Sequence, residues 1–289
     1  MSVLAFILLY GVSYGLVLCL ISIGLVITMG LMRVVNLAHG SFAAIGGYVA
    51  VSLMGNAGLP FAPAIVLAVA AVMLLSVAAE RAFYVHLYTA SELDQVLMTI
   101  GINFVVVAGL TLCFGTDVYP IRLPPWLAAS IDLGFRTFEV YRIVTMVVCL
   151  VVIGALWFAF ERTNLGARLR AAVDNRSMAQ ATGINVPRLF SLTFALGSGL
   201  AALGGAIGAP MLPLEPLYPF KYLVLVLIVV ALSGFGNVRA TVGVAIFVGI
   251  IETAGRYFFP DFGAFIIYIL LITLMIWRRQ GLFAARSAA

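Results

Sequence analysis

The residues best suited to catalysis are two histidines, His39 and His86, and the serines that lie in or near apolar runs. Ser41 lies two positions after His39, and Ser198 lies between two glycines. A nucleophilic serine needs a base within hydrogen-bonding reach and a turn that exposes its oxygen. Neither serine has the wider sequence pattern of such a turn, and His86 falls in a polar joint. We therefore predict no catalytic residue, and an intramembrane serine protease is a disfavoured alternative.

The cysteines are equally unpromising as ligands. Cys19, Cys113 and Cys149 all fall inside apolar runs, and none has the spacing of a metal site. Cysteine in such surroundings packs as a small hydrophobic residue. The sequence predicts no metal and no cofactor.

The stretch from Asn36 to Gly47 combines polar groups with helix-breaking residues. Asn36 and His39 are three positions apart, and three glycines follow, at Gly40, Gly46 and Gly47. Glycine permits close backbone approach or a broken helix, and broken helices often line the pathway of transporters. One interpretation is therefore a lining or gating element. The other is a cytoplasmic turn in which Asn36 and His39 cap helix ends.

A third polar feature is the pair Glu252 and Arg256, four residues apart in an apolar run. A lone charge at the centre of a bilayer costs about 2.5–3.5 kcal/mol on insertion scales. The two side chains are therefore expected to pair or to face the interior of the bundle. We favour a structural ion pair over a direct contact with substrate.

The elements that must position these residues are membrane helices. Of the 289 residues, 64% are apolar and only 9% are charged, which is more apolar surface than a water-soluble core can bury. Apolar runs of about 20 residues, the length of a membrane-crossing helix, recur along the chain. Segments of about ten alternating residues, typical of a β-barrel, are absent. The sequence predicts an all-α polytopic bundle of about eight or nine transmembrane helices, and its glycines permit broken helices among them.

The predicted spans are separated by joints of different character. A mixed joint covers residues 80–94, polar proline-bearing joints cover 116–139 and 209–220, and a glycine-containing break follows Ser233. We predict one transmembrane domain, 1–289, with a cytoplasmic loop at 161–188 inside it.

This central loop, 161–188, is the longest polar interruption in the chain. Part of it is predicted to form a short amphipathic helix, with Asp174 or Asn175 as the cap at its start and Gly183 at its end. A small apolar surface between these points can dock into a cleft on another protein, although an ordinary solvated loop has the same composition. The residues predicted to couple the chain to such a partner are Asp174, Arg176, Met178, Ala179, Ala181 and Gly183.

Arginine distribution predicts the orientation. Five arginines lie in the loop 161–188 and three more in the C-terminal tail, and such clusters favour the cytoplasmic side. This places the C-terminus in the cytoplasm and the N-terminus in the periplasm. Arg122, Arg136 and Arg142 are exceptions, in or just after a joint assigned to the outside.

Several stretches resemble the permeases of branched-chain amino-acid ABC transporters. The segment 170–188, RAAVDNRSMAQATGINVPR, resembles their cytoplasmic coupling loop, and 33–47, RVVNLAHGSFAAIGG, is similar to the segment after their first span. Three shorter matches follow in order, at 97–101, 193–197 and 249–252, and the length resembles the H-type subunit. The chain departs from the family at Ser233 and at Arg239-Ala240, so the bend geometry of the family is not transferred to this break.

This resemblance implies partners as well as a fold. It implies a second, longer M-type permease subunit, two cytoplasmic ATPase subunits and a periplasmic substrate-binding protein. The chain itself has no GxxxxGK[ST] phosphate loop, in agreement with ATP hydrolysis on separate subunits. No nucleic-acid partner is expected, because the arginines are confined to a few joints.

We therefore predict a permease subunit of the bacterial inner membrane that moves branched-chain or related amino acids inward by alternating access. A stand-alone secondary transporter or channel is the alternative. The lining of the pathway is not visible in the sequence, so leucine, an aromatic amino acid, an amide and urea all remain open as substrates.

Overall fold

The computed structural model describes residues 2–32, 34–88, 90–119, 121, 123–132, 137–234, 236–260 and 262–277. Helices dominate this part of the chain, and a π-helical turn, Glu80–Tyr84, joins α3 to α4. The helices are α1 (Ser2–Met32), α2 (His39–Gly55), α3 (Phe61–Ala79), α4 (Val85–Leu87), α5 (Glu92–Phe114), α6 (Pro125–Ala128), α7 (Val140–Arg162), α8 (Asn164–Asp174), α9 (Arg176–Ala181), α10 (Val186–Gly208), α11 (Tyr218–Ser233), α12 (Val238–Phe258) and α13 (Gly263–Trp277).

Within the described residues, six helical stretches are long and apolar enough to cross a bilayer, which confirms an all-α polytopic membrane protein. Three other apolar helices, α2, α11 and α13, have 17, 16 and 15 residues. These are shorter than the about 20 residues that a full crossing needs, so length alone does not establish the predicted eight or nine spans. The six long stretches are Val3–Gly30, Phe61–Leu87, Glu92–Phe114, Val140–Arg162, Val186–Gly208 and Val238–Phe258.

The centre of the bundle is formed by α1 and α10. In α10, 78% of the most apolar stretch is buried, against 17% in α5. Glycines allow the close packing: a Cβ atom on Gly249 of α12 would lie 2.5 Å from the Gly11 carbonyl oxygen of α1, and one on Gly24 would lie 2.3 Å from the Gly197 carbonyl oxygen. Small residues thus let α1 approach α10 and α12 closely, as is common between membrane helices.

The peripheral helices α3, α5 and α7 keep most of their apolar surface exposed. Exposed apolar surface on this scale is unstable in water but is the normal surface of a protein in lipid.

The joints differ from the sequence prediction in three places. The prediction of a joint at 80–94 is wrong for residues 80–87, because the helix continues through the π-helical turn to Leu87. The outer joint 116–139 contains α6 and an antiparallel β-hairpin, β1 (Ser130–Asp132) with β2 (Thr137–Glu139). The loop 161–188 contains an unpredicted helix, α8.

The C-terminal arginines, together with Arg33, Arg122 and Arg136, lie outside the described residues.

Candidate coupling surface and pathway segment

The predicted short helix in the central loop is present as α9. Asn175 caps its start, and its side-chain oxygen accepts a hydrogen bond of 2.9 Å from the Met178 backbone. Gly183, with φ +87°, adopts the left-handed conformation after its end. The Gly183 and Ile184 amides donate to the Gln180 and Ala179 carbonyls, the pattern of a Schellman stop. Asp174 closes α8 and does not cap α9.

Only part of the predicted apolar surface of α9 faces outward. Met178 is 62% exposed, and Ala181, three residues later on the same face, is also exposed. Ala179 is 3% exposed and belongs to the interior, so its predicted place on a docking surface is wrong. In a helix, position 179 is rotated by about 100° from 178 and by about 160° from 181, so it lies on a different face. The available surface is therefore Met178 and Ala181 with their polar neighbours.

A second amphipathic helix, α8, precedes α9 and was missed by the sequence prediction. Thr163 caps it through a hydrogen bond from the Leu165 amide. Gly166, Leu169 and Ala172 are its buried residues, and this three-residue spacing is the signal that predicts a helix. A cleft of about 600 Å³ separates α8 from the turn between α9 and α10.

The first residue of α9 connects the loop to the interior. The Arg176 guanidinium lies 5.6 Å from the centre of the Phe190 ring, and the centres of the Phe190 and Tyr88 rings are 5.8 Å apart. The Tyr88 hydroxyl donates to Glu80 at 2.5 Å, and Ser191 donates to the other oxygen of the same carboxylate at 2.7 Å. Burial and the hydrogen bond to Glu80 raise the pKa of Tyr88 above its usual range, which keeps its hydroxyl protonated as a donor. The buried Glu80 thus ties α3 to α10 beneath α9.

Tyr84, which lies in the same π-helical turn as Glu80, extends these contacts to Asn36. The Tyr84 ring packs 4.6 Å from Phe194, and its hydroxyl donates to the Asn36 side-chain oxygen at 3.0 Å. His39 is fully buried, and its Nε2 lies 2.9 Å from the Ile21 carbonyl oxygen. Because the partner is a carbonyl, Nε2 is the protonated nitrogen. The start of α2 has no side-chain cap, so the alternative in which Asn36 and His39 cap helix ends finds no support at α2.

Residues 34–36 are not helical, and α5 holds this segment with a ladder of polar side chains. Gln95 accepts from the Val35 amide at 2.9 Å, and Thr99 accepts from the Leu37 amide at 3.2 Å. Asn103 donates to the Leu37 carbonyl at 3.0 Å and accepts from the Ser41 hydroxyl at 2.5 Å. Residues 95, 99 and 103 lie on one face of α5 at four-residue spacing. Irregular backbone within a bundle requires such partners.

The glycines of this region serve close packing. A Cβ atom on Gly40 would lie 2.8 Å from the Pro219 carbonyl oxygen, and one on Gly46 would lie 2.5 Å from the Ala202 Cα. A Cβ atom on Gly47 would lie 2.5 Å from a methyl of Leu214. Since α2 continues from His39 to Gly55, the chain breaks before α2 and not at these glycines.

The predicted pair of Glu252 and Arg256 is observed. Arg256 donates twice to one carboxylate oxygen, from Nε at 3.0 Å and from Nη2 at 2.6 Å. Glu252 is 4% exposed, whereas the Arg256 side chain is 62% exposed. The pair therefore links the interior of the bundle to its surface.

Comparison with known proteins decides the family. Residues 7–275 match the sequence profile of a family described as branched-chain amino acid transport system / permease component. The chain belongs to this family. Its resemblance to these permeases is thereby confirmed, and so is its assignment as a transport subunit and not an enzyme.

Individual relatives of this permease are distant but match along most of their length. BraD, the high-affinity branched-chain amino acid transport system permease protein of Pseudomonas aeruginosa, is 25% identical over 94% of this chain and 93% of its own. LivH of Escherichia coli K12 is 24% identical over 94% and 92%. A probable LivH of Methanocaldococcus jannaschii is 27% identical over 92% and 86%. No solved structure is similar enough to count as a match.

Asn103 is the last of the three polar side chains of α5 that bond to the segment before α2 and to its start, and removing it should destabilise this permease. In Asn103→Leu the Leu37 carbonyl and the Ser41 hydroxyl lose their partner, and unsatisfied buried groups cost about 1–3 kcal/mol each. We expect a lower midpoint of thermal unfolding for the protein in lipid nanodiscs. Thr111→Val is the control, because the Thr111 hydroxyl on the same helix donates to the Val107 carbonyl one turn earlier and contacts no other helix through a hydrogen bond within the described residues. Equal midpoints for the two variants would show that the ladder contributes no stability.

Proposed function

We propose that the permease is the H-type transmembrane subunit of an ABC importer that moves branched-chain or related amino acids into the cytoplasm. Residues 1–289 would form one transmembrane domain, with the segment 161–188 as the coupling loop. Its partners would be a longer M-type permease, two cytoplasmic ATPases and a periplasmic binding protein. The observation that carries this proposal is α9, an exposed and capped helix whose first residue contacts the interior of the bundle.

The orientation is supported by contacts at the two ends of the helices. Arg239 at the start of α12 pairs with Glu161 at the end of α7 at 3.2 Å, close to the arginine-rich loop. At the opposite end, Arg142 donates to Glu139 at 2.8 Å and stacks 4.2 Å from the centre of the Tyr10 ring. These partners account for a cation on the side that the arginine rule assigns to the periplasm. The N-terminus is then periplasmic and the C-terminus cytoplasmic.

The same arrangement favours nine passes. The helices α2 and α11 must each cross so that the contacting ends of α1, α7 and α12 fall on one side, and a crossing by α13 then brings the C-terminus to the cytoplasmic side. A tilted or locally thinned bilayer accommodates helices of 15–17 residues. The membrane is the inner membrane of a bacterial cell, where a periplasmic binding protein has access to the outer end.

The mechanism follows from the contacts of α9. Nucleotide binding moves the ATPases. Met178 and Ala181 of α9 contact a cleft on an ATPase, so α9 moves with that cleft. Arg176 and Phe190 pass the displacement to Tyr88 and Glu80, and from there to the segment at Asn36. This segment and the start of α2, from His39 through Gly40 to Gly46 and Gly47, form the gating element. Closely packed helices change between discrete arrangements, which is the basis of alternating access.

The substrate class rests on the family and on the names of its relatives, which refer to branched-chain amino acids. The decisive experiment is uptake by the complex purified through a tag on this chain and reconstituted in proteoliposomes. Leucine loaded on the binding protein should enter only with ATP, and ATPase subunits should co-purify. Purification without an ATPase, together with uptake that needs no ATP, would establish the stand-alone transporter instead.

A further inference from the structure

A cavity of about 310 Å³ with both aromatic and charged lining residues lies at the end of the bundle where α1 begins and α12 ends. Tyr10 and Tyr14 of α1, Arg142 of α7 and the pair Glu252 and Arg256 of α12 contribute to its lining. Its volume is at the lower end of the range for small-molecule sites, about 300–1,000 Å³. In the proposed orientation it lies on the periplasmic side, where substrate is delivered.

Glu252 provides an unused acceptor at this site. Both hydrogen bonds from Arg256 go to Oε1. Oε2 is buried and has no hydrogen-bond partner within the described part of the chain, and the same is true of the Tyr14 hydroxyl. Tyr14 lies within electrostatic reach of both Glu252 and Arg256. A buried carboxylate oxygen without a donor is costly, so a positively charged donor from outside the chain would stabilise this arrangement.

Within the described residues, the two arginines also have side-chain N–H groups that make no hydrogen bond. Each guanidinium has five N–H groups. Arg256 uses its Nε and Nη2 on Glu252, and Arg142 uses its Nε on Glu139 and its Nη1 on the Ser13 hydroxyl at 3.2 Å. The remaining N–H groups are suited to a carboxylate, which guanidinium binds in a planar, often bidentate manner.

The balance of charge selects the class of ligand. Each of the two arginines is paired with a carboxylate, Arg256 with Glu252 in the lining and Arg142 with Glu139 beside it, so the charges of the site balance. An anion or a cation alone would leave one half of the site unmatched, whereas a molecule with both charges satisfies both halves. The rings of Tyr10 and Tyr14 add apolar surface beside the charged groups.

We propose that this cavity binds the zwitterionic amino acid on the periplasmic side, with Glu252 and Tyr14 receiving its ammonium and Arg256 and Arg142 its carboxylate. This proposal rests on the proposed function for the transport of an amino acid. It assigns Glu252 and Arg256 to substrate binding in addition to their structural pairing.

Leucine binding to the full-length permease, reconstituted alone in lipid nanodiscs, tests the site by saturation-transfer NMR. Leucine should bind, and both 4-methylpentanoate, which lacks the ammonium, and 3-methylbutylamine, which lacks the carboxylate, should bind about tenfold more weakly or worse. Glu252→Gln keeps an oxygen for Arg256 but removes the charge, and should weaken leucine binding by a similar factor. Glu161→Gln, at the opposite end of the bundle and paired with Arg239, is the matched control and should bind leucine normally.

Three results would overturn the proposal: no binding of leucine, equal binding of either analogue, or normal binding by a folded Glu252→Gln variant. If that variant fails to fold, Tyr14→Phe removes only the unpartnered hydroxyl and should weaken binding several-fold; normal binding would again overturn the site. The measurement needs no ATPase. ATP-driven leucine uptake without binding here would therefore exclude the site alone, whereas binding here without ATP-driven uptake would exclude the proposed function alone.

Discussion

Gly205→Ala should destabilise the protein by about 3 kcal/mol or more, the upper part of the range for overpacked cores. A Cβ atom at Gly205 would lie 2.0 Å from the Ala43 carbonyl oxygen and 2.9 Å from the Ala43 Cα. The obstacle is backbone, so it cannot be relieved by a side-chain rotation. The helices α10 and α2 must separate, and α2 carries the proposed gating element at its start. We expect a clear fall in the midpoint of thermal unfolding in nanodiscs and a loss of monodisperse protein.

Gly101→Ala is the matched control. Gly101 lies in the middle of α5, and a Cβ atom there meets nothing within 4 Å. Alanine is favoured over glycine in a helix by about 0.8–1 kcal/mol, so this variant should be as stable as the parent or slightly more so. A Gly205→Ala variant with the thermal midpoint of Gly101→Ala would show that α2 and α10 are not packed as described.

The structure of the coupling loop could be predicted where the signals are local. Asn175 and Gly183 specify the two ends of α9 through the conformations of their own backbone and side chains, and no distant partner is needed. The helix α8 was missed because arginines dominate its exposed face. Its buried residues include a glycine, Gly166, and glycine is a poor helix signal.

The polar joint at Glu80 could not be interpreted correctly from the sequence. A glutamate beside an arginine indicates the end of a span, since charged groups avoid the membrane. In the structure Glu80 is buried and accepts hydrogen bonds from Tyr88 and Ser191. Ser191 is 111 positions away, and such a partner has no signature in a single sequence.

The polar ladder of α5 is a similar case. Gln95, Thr99 and Asn103 have helical spacing in the sequence, but that pattern does not identify the segment to which they bond.

The pair Glu252 and Arg256, in contrast, was predictable because four-residue spacing on a helix brings the side chains together. The unused oxygen of Glu252 is a property of the packed bundle alone.

Ala181→Glu should abolish ATP-driven uptake while the protein still inserts and folds. Ala181 is exposed on α9 beside Met178, so the new carboxylate is solvated in the isolated permease. Once α9 is seated in a cleft of an ATPase, the charge becomes buried without a partner, at a cost of about 3–5 kcal/mol. We expect uptake to fall by about tenfold or more. Ala179→Glu is unsuitable as a test, because Ala179 is buried within the permease itself.

Ala129→Glu is the control for this effect. It introduces the same change at an exposed alanine next to the β-hairpin, at the opposite end of the bundle from α9. Its uptake and its thermal midpoint should match those of the parent. A loss of uptake in both variants would indicate a general effect of added charge and would remove the support for docking through α9.

The number of amino acids imported per ATP hydrolysed, measured in proteoliposomes that contain the purified complex, tests the coupling role of α9 most directly. The parent and Ala129→Glu should give the same ratio. Ala181→Glu should give a ratio near zero, with normal insertion and an unchanged thermal midpoint. An Ala181→Glu complex that imports substrate with the ratio of the parent would contradict the assignment of α9 as the element through which ATP hydrolysis drives transport.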